Sequence, residues 1–130
     1  MGCDIHMFIE GKLKGEDEWT LINQPDVDRW YSLFGKLAGV RGSQEPIVEP
    51  KGFPTDASKA TRAVYEYWGP DAHTPSFLTW EEIIEVRNYF RDNHAREDFN
   101  YWEVFGWDEP ATEDEDQPFS DIRAVFWFDN

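Results

Sequence analysis

Asp4 and His6 stand two apart in the opening run MGCDIHMFIE, and Asp-x-His is a spacing with a chemical use. Side chains two apart on a strand point to the same side, so the carboxylate and the imidazole are aimed into one volume. Imidazole combined with carboxylate suits zinc, manganese or iron. Two ligands hold a divalent ion weakly, and the polar loops offer more: Asp56 in GFPTDAS, and Asp71 and His73 in PDAHTPS. The expected set is therefore Asp4, His6, Asp56 and His73 around zinc or manganese. Glu10, on the same strand face, is a weaker candidate. Such an ion activates a water for attack on a phosphate ester, with His73 and Asp56 as the catalytic pair. The plainer alternative is that Asp4 merely orients His6, or that both face water.

Arg41 follows Gly39-Val40 and precedes Gly42. A guanidinium in so open a loop can fork onto a phosphate. In a chain this acidic, the alternative is an internal salt bridge. Tyr101, Trp102 and Trp107 lie together in NYWEVFGW and are the candidates for stacking on a base or other ring. The remaining tryptophans mostly occupy apolar helical or strand positions and read as core. His94, in RDNHARED, fits a helix C-terminus, where an imidazolium is favoured. Ser76 lies three residues after His73, but no nucleophile-elbow glycines surround it, so it reads as a turn or backbone partner. No phosphate-binding glycine loop, CxxC pair or HExxH is present.

These residues need elements to position them. Residues 3–11 alternate as a strand, and WTLIN (19–23) pairs with it as a hairpin. Residues 26–39 have the apolar spacing of a helix, capped by Asp26 or Asp28 and closed by Gly39, although Gly35 inside it costs about 1 kcal/mol relative to alanine. A proline- and glycine-rich loop covers 40–55, and Asp56 opens a second helix over 57–68. Gly69-Pro70 stops that helix, and 71–76 reads as a loop. Thr79-Trp80-Glu81-Glu82 is a capping box for a third helix that runs to about Asn93. Residues 100–107 are ambiguous between strand and packed loop, 108–117 read as an exposed acidic loop, and DIRAVFWF (121–128) is a strand. The expectation is one α+β domain over 1–130. A small antiparallel sheet, built from the N-terminal hairpin and the C-terminal strand, packs against about three helices.

The chain carries 27 acidic and 12 basic residues, a formal net charge of −15 over 130 positions. That balance disfavours direct binding of a nucleic-acid backbone, which requires a basic footprint. Three readings of the excess stay open: solubility alone, a cationic partner surface, or an acidic decoy that occupies a host protein's basic, nucleic-acid-binding groove. Cys3 is the single cysteine, so no intrachain disulfide forms and a reducing compartment is expected. The opening lacks a signal peptide's basic-then-apolar pattern, and no apolar run spans a bilayer. The chain reads as cytoplasmic, with no membrane partner.

GCDIH, RWYSLFGKLAGVRG, PKGFPTDAS and HTPSFLTWEE, taken together, resemble a family of small uncharacterised proteins of tailed phages and prophages. The likeness covers residues 1 to about 90. It implies a phage setting in the host cytoplasm and no particular mechanism. It also sets Asp4, His6, Arg41, Asp56 and His73 side by side as motif residues. Three functions follow as alternatives: a metal site acting on a phosphate-bearing small molecule or nucleotide, an acidic inhibitor of a basic host protein, and a metal-free protein that sequesters a nucleotide.

Overall fold

The computed structural model describes residues 2–42, 45–92, 104–105, 110 and 118–129. Its centre is a four-stranded antiparallel sheet in the order β2-β1-β4-β3. Strand β1 spans Asp4–Leu13, β2 Trp19–Asn23, β3 His73–Leu78 and β4 Phe119–Asp129. Helices α1 (Tyr31–Ala38), α2 (Lys59–Trp68) and α3 (Trp80–Asp92) pack around it. This is the α+β architecture expected from the sequence, with the hairpin and the C-terminal strand paired as neighbours along most of their length.

The period-2 alternation of β1 and β4 makes two apolar faces. Cys3, Ile5, Met7 and Ile9, with Ile122, Ala124, Phe126 and Phe128, form the larger one. Against them lie Leu33, Phe34 and Leu37 of α1 and Ile83, Val86 and Phe90 of α3, all fully buried. On the opposite face Phe8, Val125 and Trp127 are also buried. There Trp127 meets the rings of Phe53 and, from α2, Tyr65, while Trp68 at the end of α2 packs on His6 of the same face. β4 is thus buried on both sides, which is why DIRAVFWF is apolar at nearly every position.

Local chemistry explains most boundaries and corrects three. The capping box at α3 forms as the sequence says: Thr79 N–H donates to Glu82 Oε1 at 2.9 Å and Glu82 N–H to Thr79 Oγ1 at 3.2 Å. Helix α1 starts at Tyr31, not Asp26; Trp30 holds the N-cap position, and neither Asp26 nor Asp28 caps it. Arg29, just before it, pairs with Asp4. Helix α2 is capped by Ser58, whose Oγ accepts from Thr61 N–H at 3.2 Å, and Asp56 is used elsewhere. The expected loop at 71–76 is a 3₁₀ turn at Gly69–Asp71 followed by β3. Pro75 misleads there: proline disfavours a central strand, but β3 is an edge strand and Pro75 falls in its register shift.

Gly35 also has a reason. A Cβ at Gly35 would lie 2.8 Å from Gly42 Cα, and one at Gly42 only 2.4 Å from Gly35 Cα. The loop after α1 therefore folds back onto the helix with backbone against backbone. That return places Arg41, in a left-handed conformation with φ 58°, on the exterior.

Candidate functional site

β1 begins where β4 ends, and polar chemistry gathers at that end of the sheet. Asp4 is directly opposite Asp129, and His6 opposite Trp127. Like charges facing each other across two strands are unfavourable. Here each carboxylate has its own partner. Arg29 forks onto Asp4, Nε to Oδ1 at 2.8 Å and Nη2 to Oδ2 at 3.2 Å. His6 donates from Nε2 to Asp129 Oδ2. Hydrogen bonding to Arg29 holds the Asp4 carboxyl below its ordinary value. The guanidinium reaches Asp4 across Gly2, where a Cβ would stand 1.8 Å from Arg29 Nη1. A side chain at this glycine of GCDIH would push the guanidinium from its present position.

His6 and Asp129 are each about a quarter exposed, at 24% and 25% of the side chain. A carboxylate accepts hydrogen bonds and does not donate them, so the pair fixes the histidine hydrogen on Nε2. Nδ1 is then the basic nitrogen, and among the described residues no hydrogen bond engages it. The Trp68 ring covers the imidazole at 4.2 Å between centroids. A carboxylate-held imidazole with one ring nitrogen available is the arrangement used for proton transfer.

Arg41 belongs to the same end. Its guanidinium lies 5.8 Å from the Tyr31 ring centroid, and Tyr31 Oη accepts from Cys3 N–H at 3.0 Å. The buried Cys3 thiol is pushed up first by desolvation, with the charges of Arg41, Asp129, Asp4 and Arg29 acting on it in both directions. One point in the fold thus senses two arginines and two aspartates. Left-handed backbone at a non-glycine residue is sparsely populated, and such strain concentrates at functional sites. Arg41 and Thr74, next to His73, are the two non-glycine residues with positive φ among those described.

The four expected metal ligands are not brought together. Asp4 and His6 share a face and an end, as the strand spacing required. Asp56 is held by Arg123, which pairs with Glu10 four residues along β4 from the partner of His6. Four residues of strand span roughly 13 Å, against ligand bonds of about 2.0–2.6 Å. His73 is in register with Phe128, whose ring also packs on Phe34 of α1, so its imidazole is turned to the face opposite His6. His73 Nδ1 bonds Thr74 Oγ1 at 3.0 Å. Among the described residues no group of three or more His, Cys, Asp or Glu could hold a metal ion. A four-ligand divalent site does not fit this arrangement. Nor do Asp56 and His73 form a catalytic pair.

Asp56 instead completes a buried ion network. Arg123 bonds Glu10 Oε1 through Nε at 2.9 Å and Nη2 at 2.7 Å, and Asp56 Oδ1 through Nη1 at 2.9 Å. Glu10 is fully buried, and its Oε2 accepts the N–H of Ser58 at 2.8 Å. The Trp19 ring covers the guanidinium at 4.1 Å. Burial pushes the Asp56 carboxyl up, but the Arg123 hydrogen bond and charge outweigh it and hold the group below its ordinary value. The network ties the start of α2 to the sheet and is structural.

Asp129 is the residue at this end that the sequence reading missed, because its partner His6 is 123 residues away. A second aspartate aligned with Asp4 by antiparallel pairing was the available signal. Ser76 Oγ accepts from Lys51 N–H at 3.1 Å, the backbone role expected of it. His94 and the stacking candidates Tyr101, Trp102 and Trp107 lie outside the described residues. No helix among the described residues is long and apolar enough to cross a membrane. Comparison with known protein families, curated proteins and solved structures finds no match.

Proposed function

We propose that the polar end of the sheet binds a phosphate-bearing small molecule, with Arg41 as the phosphate ligand and His6 as the proton-transfer group. The observation that carries this reading is the His6–Asp129 pair: a half-buried imidazole, oriented by a carboxylate, at the end of the sheet where Arg41, in left-handed backbone, also lies over Tyr31. Arg41 supplies a planar donor fork for phosphate oxygens. Asp129 keeps His6 in the tautomer whose Nδ1 takes or returns a proton at the bound molecule. Asp4 holds Arg29 and gives the site an edge. Divalent zinc or manganese has no role in this account.

The setting proposed with it is the cytoplasm of a phage-infected host, on the motif likeness of residues 1–90. The test is isothermal titration with phosphate monoesters on wild type, Arg41→Ala and His6→Ala, paired with an assay for released phosphate. Binding lost in Arg41→Ala, with turnover lost in His6→Ala, supports the reading. Binding equal in wild type and Arg41→Ala removes it. Binding with no turnover in any protein reduces it to sequestration.

A second reading rests on the disposition of charge. Arg29, Lys51, Arg91 and Arg123 are engaged with carboxylates of the same chain. Lys36 and Arg62 bond backbone carbonyls. Exposed acids such as Asp17, Glu18, Glu66 and Glu81 keep the net charge of −15 at the surface. An acidic surface of this kind favours docking on a basic host protein, by association that weakens steeply with salt.

A further inference from the structure

Trp127 is completely buried, and its indole Nε1 is the one buried side-chain nitrogen or oxygen without a hydrogen bond among the described residues. Buried indole N–H groups ordinarily find a partner, and an orphan calls for a reason. Its surroundings are aromatic and offer no strong acceptor. Phe8 stacks on it at 4.8 Å, Tyr65 meets it edge-on at 5.1 Å and Phe53 at 6.2 Å. His6 lies 6.1 Å away, under Trp68.

The covering layer is thin. Of the ten residues of α2, Thr61 alone is fully buried, and Tyr67 is 87% exposed. The helix is anchored at its start, through Ser58 to Glu10, and its end carries Tyr65 and Trp68 over the sheet. Ring contacts hold that end, Tyr65 on Phe53 and Trp127 and Trp68 on His6, and a planar ring enters where they part.

From these observations we infer that the aromatic layer beneath the end of α2 is the subsite for a planar heteroaromatic ring, a nucleobase, whose ring acceptor takes the hydrogen of Trp127 Nε1. The inference rests on the phosphate reading of the neighbouring polar end and makes the ligand a nucleotide. Tyr65 and Trp68 close over the base, and the phosphate lies toward His6 and Arg41. Stacking suits any base, while the single donor selects one with an acceptor on the inserted edge.

The test is calorimetric titration of the full chain with the four nucleoside monophosphates, the matching nucleosides and inorganic phosphate. It is run on wild type, Trp127→Phe and Arg41→Ala. At least one nucleotide is expected to bind about tenfold more tightly than phosphate, and Trp127→Phe to lose that margin while keeping phosphate binding. Arg41→Ala is expected to weaken nucleotide and phosphate alike. In wild-type protein, the Trp127 indole N–H resonance is expected to move on adding the nucleotide and to stay in place with phosphate; this readout needs no variant. Nucleotides bound no better than phosphate, or an unmoved indole resonance, overturn the ring subsite and leave the phosphate reading standing. Nucleosides bound as well as nucleotides, with phosphate unbound, support the ring subsite and overturn the phosphate reading. No binding by any nucleotide or nucleoside overturns the inference.

Discussion

Arg123→Met removes three of the charged contacts that hold the second face of the sheet together. Two are the bonds to Glu10 Oε1 at 2.9 and 2.7 Å, and the third is the bond to Asp56 at 2.9 Å. Glu10 is fully buried and, among the described residues, keeps the Ser58 N–H alone. An uncompensated buried charge costs about 3–5 kcal/mol. For a domain of this size that corresponds to a fall in Tm of about 10–20 °C, a large part of a typical stability. Replacing both partners, Glu10→Leu with Arg123→Met, removes the charge and the desolvation together. The double variant is expected within about 1 kcal/mol of wild type, or above it. Asp56→Ala is expected to lose at most about 1 kcal/mol, because that carboxylate is 63% exposed and screened by solvent. Urea unfolding followed by tryptophan fluorescence measures these three variants, the Glu10→Leu single and wild type. A loss below about 1 kcal/mol for Arg123→Met, or a double variant as weak as the sum of the singles, refutes the reasoning.

Gly35→Ala sets helix propensity against packing: propensity alone adds about 1 kcal/mol of stability, while the 2.8 Å approach to Gly42 costs about 1–3 kcal/mol. Thermal melts are expected to show a net loss, and a raised Tm contradicts the close approach. Acid unfolding carries a sign that can be worked out. Asp4 and Asp56 have folded pKa values below the ordinary 3.8, so their stabilisation is complete above the unfolded value and is lost as pH falls through the folded values. Asp121 is raised by burial, so its contribution is present below the unfolded value and is lost as pH rises from there through its folded value. Melts at closely spaced pH values below 5 measure the balance, and Asp56→Asn is expected to flatten the most acidic limb. Zinc or manganese at tenfold molar excess is expected to leave Tm unchanged in wild type and His6→Ala alike, since Asp56 and His73 do not reach His6; a rise confined to wild type contradicts the placement of these residues.

The framework was legible where the deciding interactions are local. The capping box at Thr79, the alternation in DIRAVFWF and the apolar stripe of α3 each sit within a few residues, so period and spacing suffice. What failed was set by distance along the chain. Glu10 and Arg123 are 113 residues apart, and each alone looks like a surface charge on an amphipathic strand. Only the antiparallel register makes them opposite neighbours. The same register supplies Asp129 to His6, and it turns His73 to the far face. Asp56 has the donor type that a metal needs, but donor type does not fix position, and the arginine took it. Gly35 is penalised by propensity and required by the returning loop, a tertiary effect that no window within the helix contains.

The central claim is that phosphate is recognised where β1 begins and β4 ends. Backbone amide resonances followed during titration with inorganic phosphate at low salt test it most directly. Saturable shifts are expected at Gly2–Ile5, Arg29, Gly39–Gly42 and Asp129, abolished in Arg41→Ala. Shifts confined to the start of α2 at Ser58–Ala60, where helix N–H groups attract any anion, or no shifts at tens of millimolar phosphate, contradict it.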